Sequence, residues 1–168
     1  MNILLVGLSH CYQLEGCALE WKKFETYLKD LCLRERPDII AEELNEEVIR
    51  KWNAYDSVAR KTAISMRIDH LFCDPDLDQR RILGIKCRRG IAHELGYDRA
   101  LTGKQYFEVN KIEKTHWEKR ERFWVDRLIG RIFKKCVFLL GANHVSRFNV
   151  LLSANGIQSM VIEEDWRP

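Results

Sequence analysis

Apolar residues fall along this chain in short unbroken runs separated by longer stretches of mixed polarity. The runs are "NILLVGL" (2–8), "DIIAEE" (38–43), "DHLFCD" (69–74), "CVFLLG" (136–141) and "IQSMVIEE" (157–164). A strand covered by helices on both faces has no polar side to show, so these runs predict about five strands of a mainly parallel sheet. The segments between them carry helical spacing instead. Residues 17–35 place Leu19, Phe24, Leu28, Leu31 and Cys32 along one stripe, and Pro37 stops that helix before the second strand. Residues 45–65 and 77–96 also read as helices, "GYDRALTGKQY" (96–106) interrupts the pattern, and a charged helix is predicted from about 113 to 135. Its apolar stripe is Trp117, Phe123 or Trp124, Leu128 and Ile132. Strands alternating with helices predict a single α/β domain with right-handed crossovers and its active edge at the strand carboxyl ends.

Composition narrows the class. With 168 residues, 46% hydrophobic and 32% charged, and only three prolines, the chain can build a core without disulfides or a structural metal. None of its apolar stretches approaches the roughly 20 residues of a membrane span, and the N-terminus lacks the basic start of a signal peptide, so the expectation is a cytoplasmic protein with no membrane partner. Six scattered cysteines without a C-x-x-C pair are expected to be reduced. The net charge of +3 hides a division: residues 80–135 hold 16 Lys and Arg against 7 Asp and Glu, whereas residues 1–79 hold 10 against 15. A basic segment beside an acidic one suits a small-molecule or peptide substrate, an anionic one included, with nucleic acid as the second choice of partner.

The polar residues cluster where the predicted strands end. Strand one closes in Gly7-Leu8-Ser9-His10, strand two in Glu42 and Glu43, strand three in Asp74 and Asp76, and strand four in Gly141-Ala142-Asn143-His144. The repeated G-x-x-H matters more than either histidine alone, because glycine permits a sharp turn or a close approach at the point where the histidine projects over the sheet edge. Imidazole with carboxylate is the ligand set of manganese, zinc, cobalt or iron, and such a metal lowers the pKa of bound water. Glu42 and Glu43 are neighbours on an extended segment, so they point to opposite faces and one of them is expected to cap a helix or meet a basic side chain. "CDPDLD" lacks the glycine and distal glutamate of a calcium loop, and Asp76 or Asp78 suits the cap of a helix starting near Leu77.

These residues, in this order, resemble the TraB/GumN group and its relatives Tiki, erythromycin esterase and ChaN. "LLVGLSH" is similar to the family's first strand, and "RPDIIAEELN" to its P-D-hydrophobic-x-x-x-E-L segment, which places the family glutamate on Glu43. Asp74 with Arg80 or Arg81 resembles the third-strand aspartate and its downstream arginines. Glu121-Arg122 resembles a helical E-R, and "VFLLGANHVSRFNVLLSANGIQSMVI" the family's ending. The chain departs from the pattern at Phe123 after E-R, at Asn45 after E-L, and in its short helical middle.

The resemblance implies a divalent-metal-dependent hydrolase, acting on peptide bonds in the Tiki branch and esters in the erythromycin branch. The expected metal set is His10, Glu43, His144 and Asp74. Glu43 and Arg122 are the expected catalytic residues, with Arg80, Arg81 and Asn143 in substrate binding. Two other classes remain open: a metal-dependent nuclease or phosphoesterase using Glu43, Asp74 and Asp76, and a non-catalytic module that captures a metal or another ligand at the same edge.

Overall fold

The computed structural model describes residues 1–97 and 100–168; residues 98 and 99, inside the predicted interruption 96–106, lie outside the described residues. The described chain forms β1 (Asn2–Leu8), α1 (His10–Gln13), α2 (Trp21–Glu35), β2 (Ile39–Glu42), α3 (Glu46–Lys51), α4 (Val58–Met66) and β3 (Asp69–Phe72). It continues through α5 (Leu77–Ile82), α6 (Arg88–Glu94), α7 (Gly103–Ile129), β4 (Lys135–Gly141), a 3-10 turn (Ala142–His144), α8 (Val145–Ala154) and β5 (Gln158–Trp166). The five strands pair in parallel in the order β3-β2-β4-β1-β5. The expected α/β architecture, one parallel sheet flanked by helices, is therefore present. None of the described helices is long and apolar enough to cross a membrane.

Alternation along the strands sorts the core into two layers. Ile3, Leu5, Ile39, Ala41, Cys136, Phe138 and Leu140 pack with Trp124, Val125 and Leu128 of α7 and Phe148 and Leu152 of α8. The residues between them, Leu4, Val6, Ile40, Val137 and Leu139, face Phe24, Leu28 and Leu31 of α2 and Val58, Ala59 and Ala63 of α4. Both faces of β1 and β4 are thus covered, which is why their sequences are unbroken apolar runs.

The helix boundaries depart from the predicted ones for identifiable reasons. The segment 45–65 is two helices, each with its own cap: Asn45 accepts from the Val48 amide and Ser57 from the Arg60 amide. The segment 77–96 is also two, the first opened by a capping box between Asp76 and Gln79. The charged helix starts at Gly103 rather than near 113, after a box between Thr102 and Gln105. It ends at Ile129, so Ile132, expected on its apolar stripe, is fully exposed beyond it. In α2, Arg36 takes a left-handed conformation (φ 50°) and returns its amide to the Cys32 carbonyl before Pro37.

The first G-x-x-H glycine serves a close approach. A Cβ on Gly7 would lie 2.1 Å from the Glu164 carbonyl oxygen and 2.4 Å from Val145 Cγ2. This contact falls where the β1–β5 pairing shifts register on either side of Val6, so β5 bends in over β1 at the position without a side chain.

Candidate active site

Glu43 follows β2 directly, and the alternation that sends Glu42 toward α4 sends Glu43 toward α7. Its side chain is 1% exposed. One carboxylate oxygen, Oε2, accepts the Gly141 amide at 2.8 Å, and the other, Oε1, accepts Arg120 Nη2 at 2.7 Å. Burial alone would raise the Glu43 pKa. Arg120, assisted by His10, His144 and the Gly141 amide, outweighs it and holds the carboxyl at about 2, against an ordinary 4.5.

The two histidines reach the same atom from opposite ends of the chain. His10 Nε2 lies 3.7 Å and His144 Nε2 3.6 Å from Glu43 Oε1. Each ring is held from behind. His10 Nδ1 donates to Gln13 Oε1 at 3.0 Å, one helical turn on, and His144 Nδ1 donates to the buried Glu121 carboxylate at 2.7 Å. Arg147 Nε stands 3.5 Å from the other Glu121 oxygen. With Nδ1 donating, each imidazole presents a bare Nε2 to the space beside Glu43. The His144 ring is also wedged between Trp117 (4.7 Å between ring centres) and Trp124 (5.2 Å). His10, by contrast, is 44% exposed and forms the open side of the site.

Gly141 leaves space here that a side chain would crowd. A Cβ would stand 3.2 Å from His10 Nε2 and 3.4 Å from Glu43 Oε2. The two G-x-x-H motifs therefore do different work: Gly7 admits β5, and Gly141 admits the facing histidine and the glutamate.

Asp74, at the end of β3, is engaged throughout. It pairs with Arg80, accepts Arg120 Nε at 2.9 Å and Nη2 at 2.7 Å, and accepts the Trp124 indole at 3.3 Å. Arg120 thus bridges two buried carboxylates. Burial opposes its charge, but Asp74 and Glu43 more than compensate and raise its pKa further. Two carboxylates and two guanidiniums balance one another in this cluster.

His10, Glu43, Asp74 and His144 are therefore brought together: Arg120 joins the two carboxylates by hydrogen bonds, and the two imidazoles stand 3.7 and 3.6 Å from Glu43 Oε1, beyond hydrogen-bond distance. The fit to a divalent metal is poor: both Glu43 oxygens and Asp74 are already engaged by cations and amides, and a further dication would meet the fixed charge of Arg120. Among the described residues no group of three or more His, Cys, Asp or Glu side chains is arranged to hold a metal ion.

Arg122 lies elsewhere. Its side chain is 65% exposed and pairs with Glu118 on the outer face of α7, so the arginine in the site is Arg120, two residues earlier. Of the other expected substrate-binding residues, Arg80 is committed to Asp74 and the Pro75 carbonyl, and Arg81 points to solvent, paired with Asp78. Asn143 is exposed on the rim of a cleft beside His144. Sequence reasoning missed Arg120, Gln13 and the contribution of Glu121. The available signal was charge on a buried stripe: Glu121 lies between Trp117 and Trp124 at helical spacing, and Arg120 lies four residues before Trp124.

Glu42 sits outside this site. Fully buried, it accepts from the Ser57 hydroxyl and pairs with His70 Nε2 at 2.8 Å, tying β2 to β3 and to the cap of α4. This agrees with the expectation that one of the two glutamates meets a basic side chain. Removing the imidazole in His70→Ala leaves the carboxylate with the serine alone, and a loss of about 1–3 kcal/mol in urea denaturation is expected. A change below a few tenths would refute this tie. No family model, curated protein or solved structure matches the chain.

Proposed function

We propose that the strand-end network is the active centre of a hydrolase for ester or amide bonds. The observation that carries this reading is the convergence of two bare imidazole nitrogens on one carboxylate oxygen, 3.7 and 3.6 Å away. In their neutral form, with Nδ1 donating, the two imidazoles turn lone pairs toward Glu43 Oε1, and a water donating into that space satisfies them and is the nucleophile that hydrolysis uses. In this reading His144 is the general base: it takes a proton from that water, and Glu121 stabilises the resulting imidazolium through Nδ1. The imidazolium of His144 then returns that proton to the departing alkoxide or amine, while the Nε2 of His10, at the open side, accepts the water's other hydrogen and orients it. Arg120 supplies the fixed positive charge that a developing oxyanion needs in a buried site. The resemblance of the G-x-x-H and E-L segments to the TraB/GumN group supports ester or peptide-bond hydrolysis but implies a divalent metal for it; the metal-free form proposed here rests on the engagement of Glu43 and Asp74 by Arg120 and Arg80. No step here passes through a metal.

A carboxylate-only phosphoesterase is less well supported, because Glu43 and Asp74 are neutralised by arginines and Asp76 caps α5.

The test is a screen of aryl and alkyl esters and peptides before and after chelation, followed by kinetics of His10→Ala and His144→Ala. We expect activity to survive chelation and to fall at least about 100-fold in each variant, with folding retained by circular dichroism. Activity restored only by manganese, zinc, cobalt or iron would reinstate the metal-dependent reading. Undiminished activity in His144→Ala would overturn this centre.

A further inference from the structure

Beside His144 lies a cleft of about 410 Å³, within the range of small-ligand sites, whose chemistry the hydrolytic centre does not use. One wall is a single face of α7, where Tyr106, Asn110, Lys114 and Trp117 follow at helical spacing. Arg88 of α6 and Arg147 of α8 flank it. Three cations from three helices therefore converge on one hollow, and among the described residues no carboxylate lines it. Acidic groups meet two of the cations: Glu113 holds Arg88 at 2.7 Å and Glu121 faces Arg147 at 3.5 Å. Glu118, its pKa lowered chiefly by Arg122, is also close enough to Arg147 for that guanidinium to help lower it. Lys114 is exposed and makes no ion pair among the described residues. Two of the three cations are thus partly neutralised, and Lys114 carries the uncompensated positive charge of the hollow.

The rest of the lining is aromatic and amide. Tyr106 is 47% exposed, with the Arg88 guanidinium 5.0 Å from its ring centre, and Trp117 is half-buried. A planar ring can stack on such surfaces, and Asn110 and Asn143 offer donors and acceptors for its edge. The cleft also adjoins the hydrolytic centre: Trp117 packs on the His144 ring, Asn143 precedes His144, and Arg147 faces the glutamate that holds it.

We propose that this cleft binds a small ligand in which a phosphate monoester is joined to a planar heterocycle, as in a nucleoside monophosphate. The phosphate lies among Arg88, Lys114 and Arg147, and the ring stacks against Trp117 or Tyr106. That this ligand is part of the substrate rests on the hydrolase reading; the binding does not.

The test is calorimetric titration of the whole protein with adenosine 5′-monophosphate, adenosine and inorganic phosphate. The monophosphate is expected to bind at one equivalent, about tenfold or more tighter than either fragment, and Lys114→Ala and Trp117→Ala to weaken it about tenfold. Arg81→Ala, on exposed surface, should change nothing. His10→Ala should bind the monophosphate as the wild type does. Binding of the monophosphate no tighter than phosphate, or unaltered by Lys114→Ala, overturns the proposal. So does a single-stranded oligonucleotide whose affinity grows with length and which displaces the monophosphate, since the cleft would then belong to a nucleic-acid surface. Hydrolysis of neutral esters without nucleotide binding defeats this proposal alone, whereas binding retained in a protein that hydrolyses nothing defeats the hydrolase reading alone.

Discussion

Arg120→Ala is expected to lower stability by roughly 3–5 kcal/mol and to abolish any activity of the site. The guanidinium is the only group that touches both Glu43 and Asp74 among the described contacts, at 2.7 Å from each. Both carboxylates are nearly inaccessible to water, with side chains 1% and 2% exposed, so truncation leaves two buried anions without the cation that joins them, Asp74 keeping Arg80 and Glu43 keeping the Gly141 amide. Arg120→Lys is expected to fall in between, because a single ammonium cannot reproduce the forked contact to Asp74 through Nε and Nη2 while also meeting Glu43. The companion variant Arg120→Met/Glu43→Gln/Asp74→Asn removes three of the four charges, leaving the 23% exposed Arg80 to turn to solvent, and should recover much of the stability without recovering activity. Urea denaturation monitored by circular dichroism decides it. A loss below about 1 kcal/mol in Arg120→Ala would mean that the carboxylates find solvent or other cations, and the buried-bridge account would fail.

The architecture was legible because the strands are covered on both sides, and apolar runs of strand length that alternate with amphipathic segments suit a buried parallel sheet and little else. The repeated G-x-x-H was informative for the same reason: it marks the points where β1 and β4 stop, and these two strands are neighbours in the sheet. Helix boundaries inside 45–65 and 77–96 were less so, since Asn45, Ser57 and Asp76 are ordinary polar residues until their side chains are seen to accept from amides. The choice between Arg120 and Arg122 turned on helical phase. On α7 nearly every second residue is charged, and a shift of two positions moves a side chain by about 200° around the axis. Leaving the stripe open between Phe123 and Trp124 left that phase undetermined; once Trp124 is fixed in the core, Arg120 and Glu121 fall on its side and Arg122 on the other.

Acidification should expose the same network through Glu43. Its pKa in the folded chain is lowered to about 2: burial works against the shift, and Arg120, the two histidines and the Gly141 amide overcome it. The unfolded chain, with its carboxyl near the ordinary 4.5, therefore binds more protons than the folded one between these values. The stabilisation from the Glu43 carboxylate is fully present above about pH 4.5 and is lost as the pH falls toward about 2, a change of roughly 3 kcal/mol. The wild-type urea midpoint is expected to drop steeply across that window. Glu43→Gln cannot titrate there, so it should be less stable at neutral pH and show a shallower acid decline. Parallel declines in the two proteins would mean that other carboxylates carry the acid transition. The same depressed value has a catalytic consequence, because Glu43 remains ionised throughout the neutral range. In the proposed hydrolase, Glu43 is therefore not the group behind a loss of activity at neutral pH, and such a loss is expected to vanish in His144→Ala and to persist in Glu43→Gln. Its dependence on His144 rather than on Glu43 is what separates a base held by Glu121 from a carboxylate that acts on water directly.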